Sequence, residues 1–308
     1  MKIVIVGPGA MGCLLAAFLS KSKEDVWILD YNKDRAKIIN QNGIILDGLS
    51  GNLEIKTKTS SETKDIGLAD LIIISVKSYD TKAAIMHARP LIGEKTTVLT
   101  LQNGIGNIEI IAEVVGTDRV IGGVTNLGAT LIDIGRVRHA GKGETVLGRI
   151  DGKFTIEMRA IRELFNKVGL LTRLSRDLKS LLWSKLIVNV GINALTAITR
   201  TNNGKLVEFE GTRRIMRESV TEATRIAKRK RIKLIFDDPL AKVEAVCEAT
   251  SGNISSMLQD VMHKKRTEID FINGVILRQG QELGIPTPVN QTLVDLVKTI
   301  EASYKDVH

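Results

Sequence analysis

Lys185, Asn189 and Asn193 recur at intervals of four through Trp183-Ser184-Lys185-Leu186-Ile187-Val188-Asn189-Val190-Gly191-Ile192-Asn193. On a helix they share one face of an otherwise apolar segment. An ammonium and two amides in such a setting must find partners, because burying them unpaired is costly. Two uses fit the stripe: a hydrogen-bond network between domains, or a polar wall facing a cleft, with Lys185 as a proton donor. A free lysine ionises at about pH 10.4, so in the second use Lys185 starts as the ammonium at neutral pH without needing a large shift. Further polar positions lie in Asn253-Ile254-Ser255-Ser256-Met257-Leu258-Gln259-Asp260 and in Glu268-Ile269-Asp270-Phe271-Ile272-Asn273-Gly274. If one helix continues through both, Ser256, Gln259 or Asp260, and Glu268 fall on a common face, which periodicity alone reads as solvated.

A different chemistry is written at the amino terminus. Gly7-Pro8-Gly9-Ala10-Met11-Gly12 follows the apolar run Ile3 to Val6 and opens a helical pattern. That context turns a common glycine triplet into a dinucleotide-binding signal: Gly7 for the tight turn, Gly9 for close approach of a pyrophosphate, Gly12 for close helix packing. The next apolar run ends at Asp30, 18 residues beyond Gly12. An acid there accepts hydrogen bonds from the adenosine ribose hydroxyls and disfavours a 2′-phosphate, which favours NADH over NADPH. Lys33 and Arg35 follow and could still accommodate a phosphate. Lys77 and Asn103 each stand just after an apolar run, at the strand ends where open α/β sheets bind ligands. An ordinary surface lysine and an Asn-Gly turn explain them equally well.

These residues need a scaffold, and the patterning supplies one. Ile3 to Val6, Val26 to Leu29, Leu71 to Val76 and Val98 to Leu101 are unbroken β-branched runs, as expected of strands buried on both faces of a parallel sheet. Helix-compatible stretches such as Met11 to Lys21 and Tyr79 to Arg89 separate several of them, which predicts a βαβ, Rossmann-type α/β domain. From Val120 to Gly148 shorter, glycine-punctuated strands should extend or cap that sheet. Beyond about Arg176 the pattern predicts only helices: Leu178 to Thr199, Arg213 to Lys233, Leu240 to Cys247, Ile254 to Leu283 and Val289 to Ser303. The expected domains are therefore 1–176, binding the dinucleotide, and 177–308, all-helical and binding the substrate.

The 308 residues are 43% hydrophobic and 26% charged, which excludes a disordered or collagen-like chain. Cys13 and Cys247 lack metal-ligand spacing, so neither a zinc site nor a disulfide framework is expected, and a reducing cytoplasm fits. The first apolar stretch is too short for a signal-peptide core, and no unbroken apolar run of 18 residues suggests a membrane span. The net charge of +9 raises the question of a polyanion. Much of the excess lies between Arg213 and Lys233, with nine basic residues against Glu218 and Glu222. Lys228-Arg229-Lys230-Arg231-Ile232-Lys233 has no aromatic residue for base stacking and reads as a solvated helix end.

Taken together, the glycine loop, Lys77, Leu101-Gln102-Asn103-Gly104, the Lys185 stripe, Asn203-Gly204 and the run from Asn253 to Gly274 resemble the ketopantoate reductase (2-dehydropantoate 2-reductase) family over essentially the whole chain. The resemblance implies a helical domain like that of 6-phosphogluconate dehydrogenases, an active site between the two domains, and reduction of a 2-oxo acid by NAD(P)H. It further implies that Lys185 is the catalytic lysine and Glu268 a substrate-positioning glutamate. Asn189, Asn193, Asn253, Ser256 and Asn203 match its substrate-contacting positions, and Lys77 and Asn103 match residues near the nicotinamide and its ribose. Many members carry an arginine for the 2′-phosphate of NADPH where this chain has Asp30. The competing expectations are a dehydrogenase of another 2-oxo or 3-hydroxy acid and, from a different class, a nucleotide-sensing or nucleic-acid-binding regulator. A homodimer is compatible with either enzyme.

Overall fold

The computed structural model describes residues 1–304. They gather into two compact units, one of residues 1–102 and 106–178, the other of residues 103–105 and the chain from 179 onward. The first unit opens with β1 (Lys2–Val6), α1 (Ala10–Leu19), β2 (Asp25–Leu29) and α2 (Lys33–Asn42), then three short strands, β3 (Ile44–Gly48), β4 (Leu53–Ile55) and β5 (Lys58–Ser60). There follow β6 (Ala69–Ile74), α3 (Thr81–Ala88), β7 (Ile92–Thr100), α4 (Asn107–Val115) and β8 (Val120–Thr125). β9 (Gly128–Asp133), β10 (Arg136–Gly141), β11 (Thr145–Gly148), α5 (Ile156–Lys167) and β12 (Thr172–Leu174) complete it.

Eight strands form one sheet in the order β12-β11-β8-β7-β6-β1-β2-β5, parallel except where β11 runs against β8. Ile3, Val4 and Ile5 of β1 and Ile72 and Ile73 of β6 are fully buried, which is why these strands carry no polar alternation. β1 lies between β2 and β6, where the strand order reverses, so a crevice is expected beyond its carboxyl end.

The segment from Val120 to Gly148 does only part of what its pattern suggests. β8 and β11 extend the large sheet, but β9 and β10 leave it and join β3 and β4 in a separate sheet, ordered β4-β3-β10-β9. α1 packs on β1 and β2 on one side and on β3, β9 and β10 on the other, which buries eight of its ten residues. The second sheet is therefore the reason α1 is apolar all round. His139 of β10 lies buried against it, edge-on to Phe18 with ring centroids 5.6 Å apart. Its Nδ1 is 2.6 Å from the Ser50 hydroxyl and its Nε2 3.1 Å from the Gly141 carbonyl oxygen.

The second unit is helical: α6 (Leu178–Thr199), α7 (Lys205–Glu208), α8 (Glu210–Arg229), α9 (Pro239–Ala249), α10 (Ser256–Met262), α11 (Asn273–Leu283) and α12 (Pro288–Ser303). α6 has a mean hydropathy of 1.5 in its most apolar window, enough in length and composition to cross a membrane, although Lys185, Asn189 and Asn193 interrupt its apolar run. Yet 72% of that window is buried within the protein, and Ile187, Val190 and Ala194 are fully enclosed. It is the central helix of a protein core. A methyl group added at Gly191 would stand 2.8 Å from Val243 and 2.9 Å from Val220, so α6 lies almost against α9 and α8.

The single helix expected from Ile254 to Leu283 is broken. Lys264 adopts a left-handed conformation with φ 51°, and the Lys265 N–H bonds back to the Asp260 carbonyl at 2.8 Å, a closure that ends α10. The chain then runs through a loop and one 3₁₀ turn, Ile269–Phe271, before α11 begins. Ser256, Gln259, Asp260 and Glu268 consequently do not lie on one helix face.

Candidate active site

The glycine loop joins β1 to α1 as the fingerprint requires. Gly7 has φ 100°, and a Cβ there would meet Val76 at 2.6 Å; one on Gly12 would meet the Gly7 carbonyl oxygen at 2.0 Å. Only glycine allows the turn and lets the helix start this close to the strand. α1 begins after Gly9 with neither a side-chain cap nor an acidic residue in its first turn. The start of α1, with Pro8, Ala10 and Met11 around it, is thus fit to receive a phosphate group.

At the end of β2 Asp30 is engaged within the protein. Its side chain is fully buried, and Arg35 donates to both carboxylate oxygens, Nε at 2.5 Å and Nη2 at 2.6 Å. The Asn32 N–H adds a third bond at 3.1 Å. The guanidinium also lies 5.3 Å from the Tyr31 ring. Asp30 is therefore half of an ion pair with Arg35.

Lys77 stands just past β6, at the carboxyl end of the sheet, and is half-buried. The loop that carries it is braced by residues that motif reading passed over. Gln102 donates from its amide to the Val76 carbonyl at 2.8 Å and to Thr81 Oγ1 at 2.9 Å. Thr81 in turn donates to Asn107 Oδ1 at 2.8 Å, while Asn107 donates to Ser78 Oγ at 3.1 Å. No spacing rule would have found this network, because it links the ends of two strands to two helices through space. Asn103 leaves the sheet altogether: residues 103–105 group with the helical unit, where the Ile105 N–H bonds to the Phe271 carbonyl at 3.2 Å.

In the helical unit Lys185, Asn189 and Asn193 do share a face of α6. Lys185 and Asn189 are half-buried and Asn193 is buried. The Asn189 Nδ2 is enclosed with no hydrogen-bond partner among the described residues. Burial pushes the Lys185 ammonium down to about 8, against the opposing pull of the Glu268 charge. The shift is larger than the sequence reading required, and the ammonium still predominates at neutral pH. Glu268 itself is buried, at the start of the 3₁₀ turn.

Asn203 and Asn253 are brought side by side by a backbone bond, the Asn203 N–H donating to the Asn253 carbonyl at 3.0 Å. The Asn203 amide donates to Thr250 Oγ1 at 2.9 Å, leaving its buried Oδ1 without a partner among the described residues. Ser256 is exposed at the first turn of α10. Its neighbour Ser255 is the buried one: it caps α10 through the Leu258 N–H and accepts from Thr196 Oγ1 of α6 at 2.7 Å. Among the described residues no group of three His, Cys, Asp or Glu side chains could hold a metal ion.

Sequence comparison matches residues 3–152 to the ketopantoate reductase PanE/ApbA family and residues 177–301 to the C-terminal region of the same family. The chain belongs to the ketopantoate reductase family. The first matched region of this ketopantoate reductase family member spans the glycine loop, Asp30, Lys77 and Asn103, and the second spans Lys185 through Glu268. A 2-dehydropantoate 2-reductase of Pyrococcus horikoshii is 38% identical over 98% of both chains. A PanE/ApbA family ketopantoate reductase from Ralstonia eutropha superposes with a TM-score of 0.91 at 32% identity, covering 99% of this chain and 100% of the other. A D-mandelate dehydrogenase solved with NADH and anilino(oxo)acetate superposes with a TM-score of 0.90 at 29% identity, covering 99% of each.

Proposed function

We propose that this oxidoreductase reduces 2-dehydropantoate to pantoate, and that Lys185 is its proton donor. The observation that carries the proposal is the α6 face, where an ammonium brought down to about 8 shares a stripe with an enclosed amide donor at Asn189 that has no partner among the described residues. A nicotinamide dinucleotide, when bound, supplies the hydride. Residues 1–176 would hold it, with the amides at the start of α1 and residues Gly7 to Gly12 receiving the pyrophosphate. Lys77 and Asn103 would lie toward the nicotinamide and its ribose.

Hydride addition at the C2 carbonyl leaves negative charge on its oxygen. The Lys185 ammonium stabilises that charge and then gives the oxygen its proton, becoming a neutral amine that takes a proton back from water. With a pKa of about 8 the ammonium predominates at pH 7, yet gives up its proton far more readily than a surface lysine. Asn189, Asn193, Asn203, Asn253 and Ser256 would hold the substrate carboxylate and hydroxyl. Glu268 would accept from that hydroxyl and fix the carbonyl in place.

The Asp30–Arg35 pair bears on cofactor choice. Its buried carboxylate opposes a 2′-phosphate while its guanidinium, with Lys33 nearby in sequence, attracts one, so NADH is favoured over NADPH only modestly. A cytoplasmic enzyme acting on a small 2-oxo acid, possessing no nucleic-acid or membrane partner and competent to form a homodimer, is the reading that fits.

Oxidation of NADH and NADPH followed in parallel with 2-dehydropantoate and a panel of unbranched 2-oxo acids tests this. Turnover should be far greater with the dimethyl substrate, and Lys185→Ala should remove about 10²-fold or more of it while leaving dinucleotide affinity intact. Near-normal turnover in that variant would sink the assignment. An aryl-substituted 2-oxo acid in the same panel tests the alternative of a dehydrogenase of another 2-oxo or 3-hydroxy acid, which the likeness to a D-mandelate dehydrogenase makes worth including.

A further inference from the structure

Beneath the α6 stripe runs a buried polar chain that the proposed chemistry does not use. The Glu222 carboxylate of α8 sits at the start of α12, accepting from the Val289 N–H at 2.9 Å and from Asn290, N–H at 2.9 Å and Nδ2 at 2.7 Å. Asn290 Oδ1 accepts from Asn273 Nδ2 at 2.9 Å, and the same Nδ2 donates to the Val190 carbonyl of α6 at 3.3 Å. Asn273 and Asn290 are fully buried.

The two ends of this chain differ in what they could achieve. The Glu222 carboxylate accepts from the N–H groups at the start of α12 and offsets its positive dipole end, which is a structural role. Asn273 does something else, because it lies five residues after Glu268 and its amide reaches the helix that carries Lys185, at a carbonyl between Asn189 and Asn193. On the other side of Glu268 the Thr267 N–H is held by the Glu301 carboxylate of α12 at 2.7 Å. Glu268 is thus clamped from both flanks. The other acid on its turn, Asp270, is occupied by Lys298 at 2.7 Å and faces Arg266 at 3.8 Å.

We infer that Asn273 is a positioning residue, tying the turn that carries Glu268 to the backbone of α6 so that the carboxylate and the Lys185 ammonium keep one working separation. The inference rests on the reading of Lys185 as proton donor. An asparagine suits this tie because its Nδ2 has two hydrogens, and the two bonds made here direct one to α12 and one to α6. Loss of the tie lets Glu268 drift. Since the Glu268 charge raises the Lys185 pKa against burial, drift lowers that pKa further and removes ammonium at the pH where it is needed.

The test is the pH dependence of kcat/KM for Asn273→Ala beside Glu268→Gln, Glu222→Gln and Lys185→Ala. Asn273→Ala should lose roughly tenfold to a hundredfold in kcat and move its alkaline limb to lower pH, in the direction of Glu268→Gln. Dinucleotide affinity should stay within about twofold of the parent, as the loop that receives the pyrophosphate lies in the other unit. Competitive acetylation of Lys185 across pH, read by mass spectrometry on the ligand-free protein, should report the same downward shift. Glu222→Gln should melt earlier with its limb unmoved. Should Asn273→Ala fail to fold, Asn273→Ser, whose single short donor cannot span both bonds, carries the same expectation. A lowered melting temperature with an unmoved limb and unmoved acetylation would overturn the inference. Should Lys185→Ala instead keep its turnover, the reading beneath it fails.

Discussion

Lys185 works under two opposed pressures, burial pulling its ammonium down to about 8 and the Glu268 charge holding it up. With Lys185 as the proposed proton donor, the rate of reduction should be level below pH 8 and decline above it, whereas oxidation of pantoate should gain over the same interval; initial rates in both directions check this. Asp30 is also best understood by its partner. In Asp30→Asn, Arg35 is released from a charge-assisted pair, and the ratio of kcat/KM for NADH to that for NADPH should fall by about tenfold or more, the equivalent of one such bond. An unchanged ratio would remove the pair from cofactor selection. At this scale the stripe on α6 was legible, because a period of four is a property of sequence. The pairing of Asp30 with Arg35 was not, since it depends on how α2 is aimed after β2. The burial that shifts Lys185 was equally invisible, being supplied by residues distant along the chain.

Helices and strands divide in the same way. The strands buried on both faces announced themselves as unbroken apolar runs, whereas β4 has no such run, β3 has only Ile44-Ile45-Leu46, and β3 pairs with β10 some ninety residues later, a partnership no local pattern encodes. The break after α10 was hidden because a left-handed lysine, and not a glycine or proline, makes it. Gly191 tests how tightly α6 is held. Alanine there gains about 1 kcal/mol of helix propensity, but its methyl group would press on Val243 and Val220 at 2.8 and 2.9 Å, and overpacking costs about 1–3 kcal/mol. Gly191→Ala should therefore be destabilising by about 1 kcal/mol in chemical denaturation. A stabilised variant would show that α6 has room to move. In the small sheet, burial holds His139 below its ordinary pKa of 6.5. The unfolded chain then takes up the proton more readily than the folded one, so this group's contribution is present above pH 6.5 and is lost as pH falls through its depressed folded value. His139→Gln should flatten that acid limb of the melting temperature.

For the molecule as a whole, the charge of +9 turns out to be arranged on a surface. α8 buries Met216, Val220, Ala223 and Ile226 and turns Arg214, Arg217, Arg225 and Lys228 outward, while Arg213 pairs with Glu244 at 2.6 Å. A basic face of this kind on a reductase should be silent in catalysis. Replacing Arg214 and Arg217 together by glutamate is expected to leave turnover of 2-dehydropantoate unchanged at physiological salt, and a large drop would assign the face a role in capturing an anionic ligand.

The three residues from Asn103 to Ile105 carry a consequence for how this protein can be divided. They belong to the helical unit although more than seventy residues separate them from the rest of it, and Ile105 packs against that unit's core. A gene fragment beginning at Lys179 would encode every helix after the first residue of α6, yet would lack the Ile105 side chain that packs against their core. Limited proteolysis or recombination at that point should not release a finished module. Swapping the helical half between relatives, to exchange one substrate for another, would have to carry the strand-end tripeptide with it. The part of the chain most readily taken for a neutral turn is thus an inheritance that the two halves hold in common.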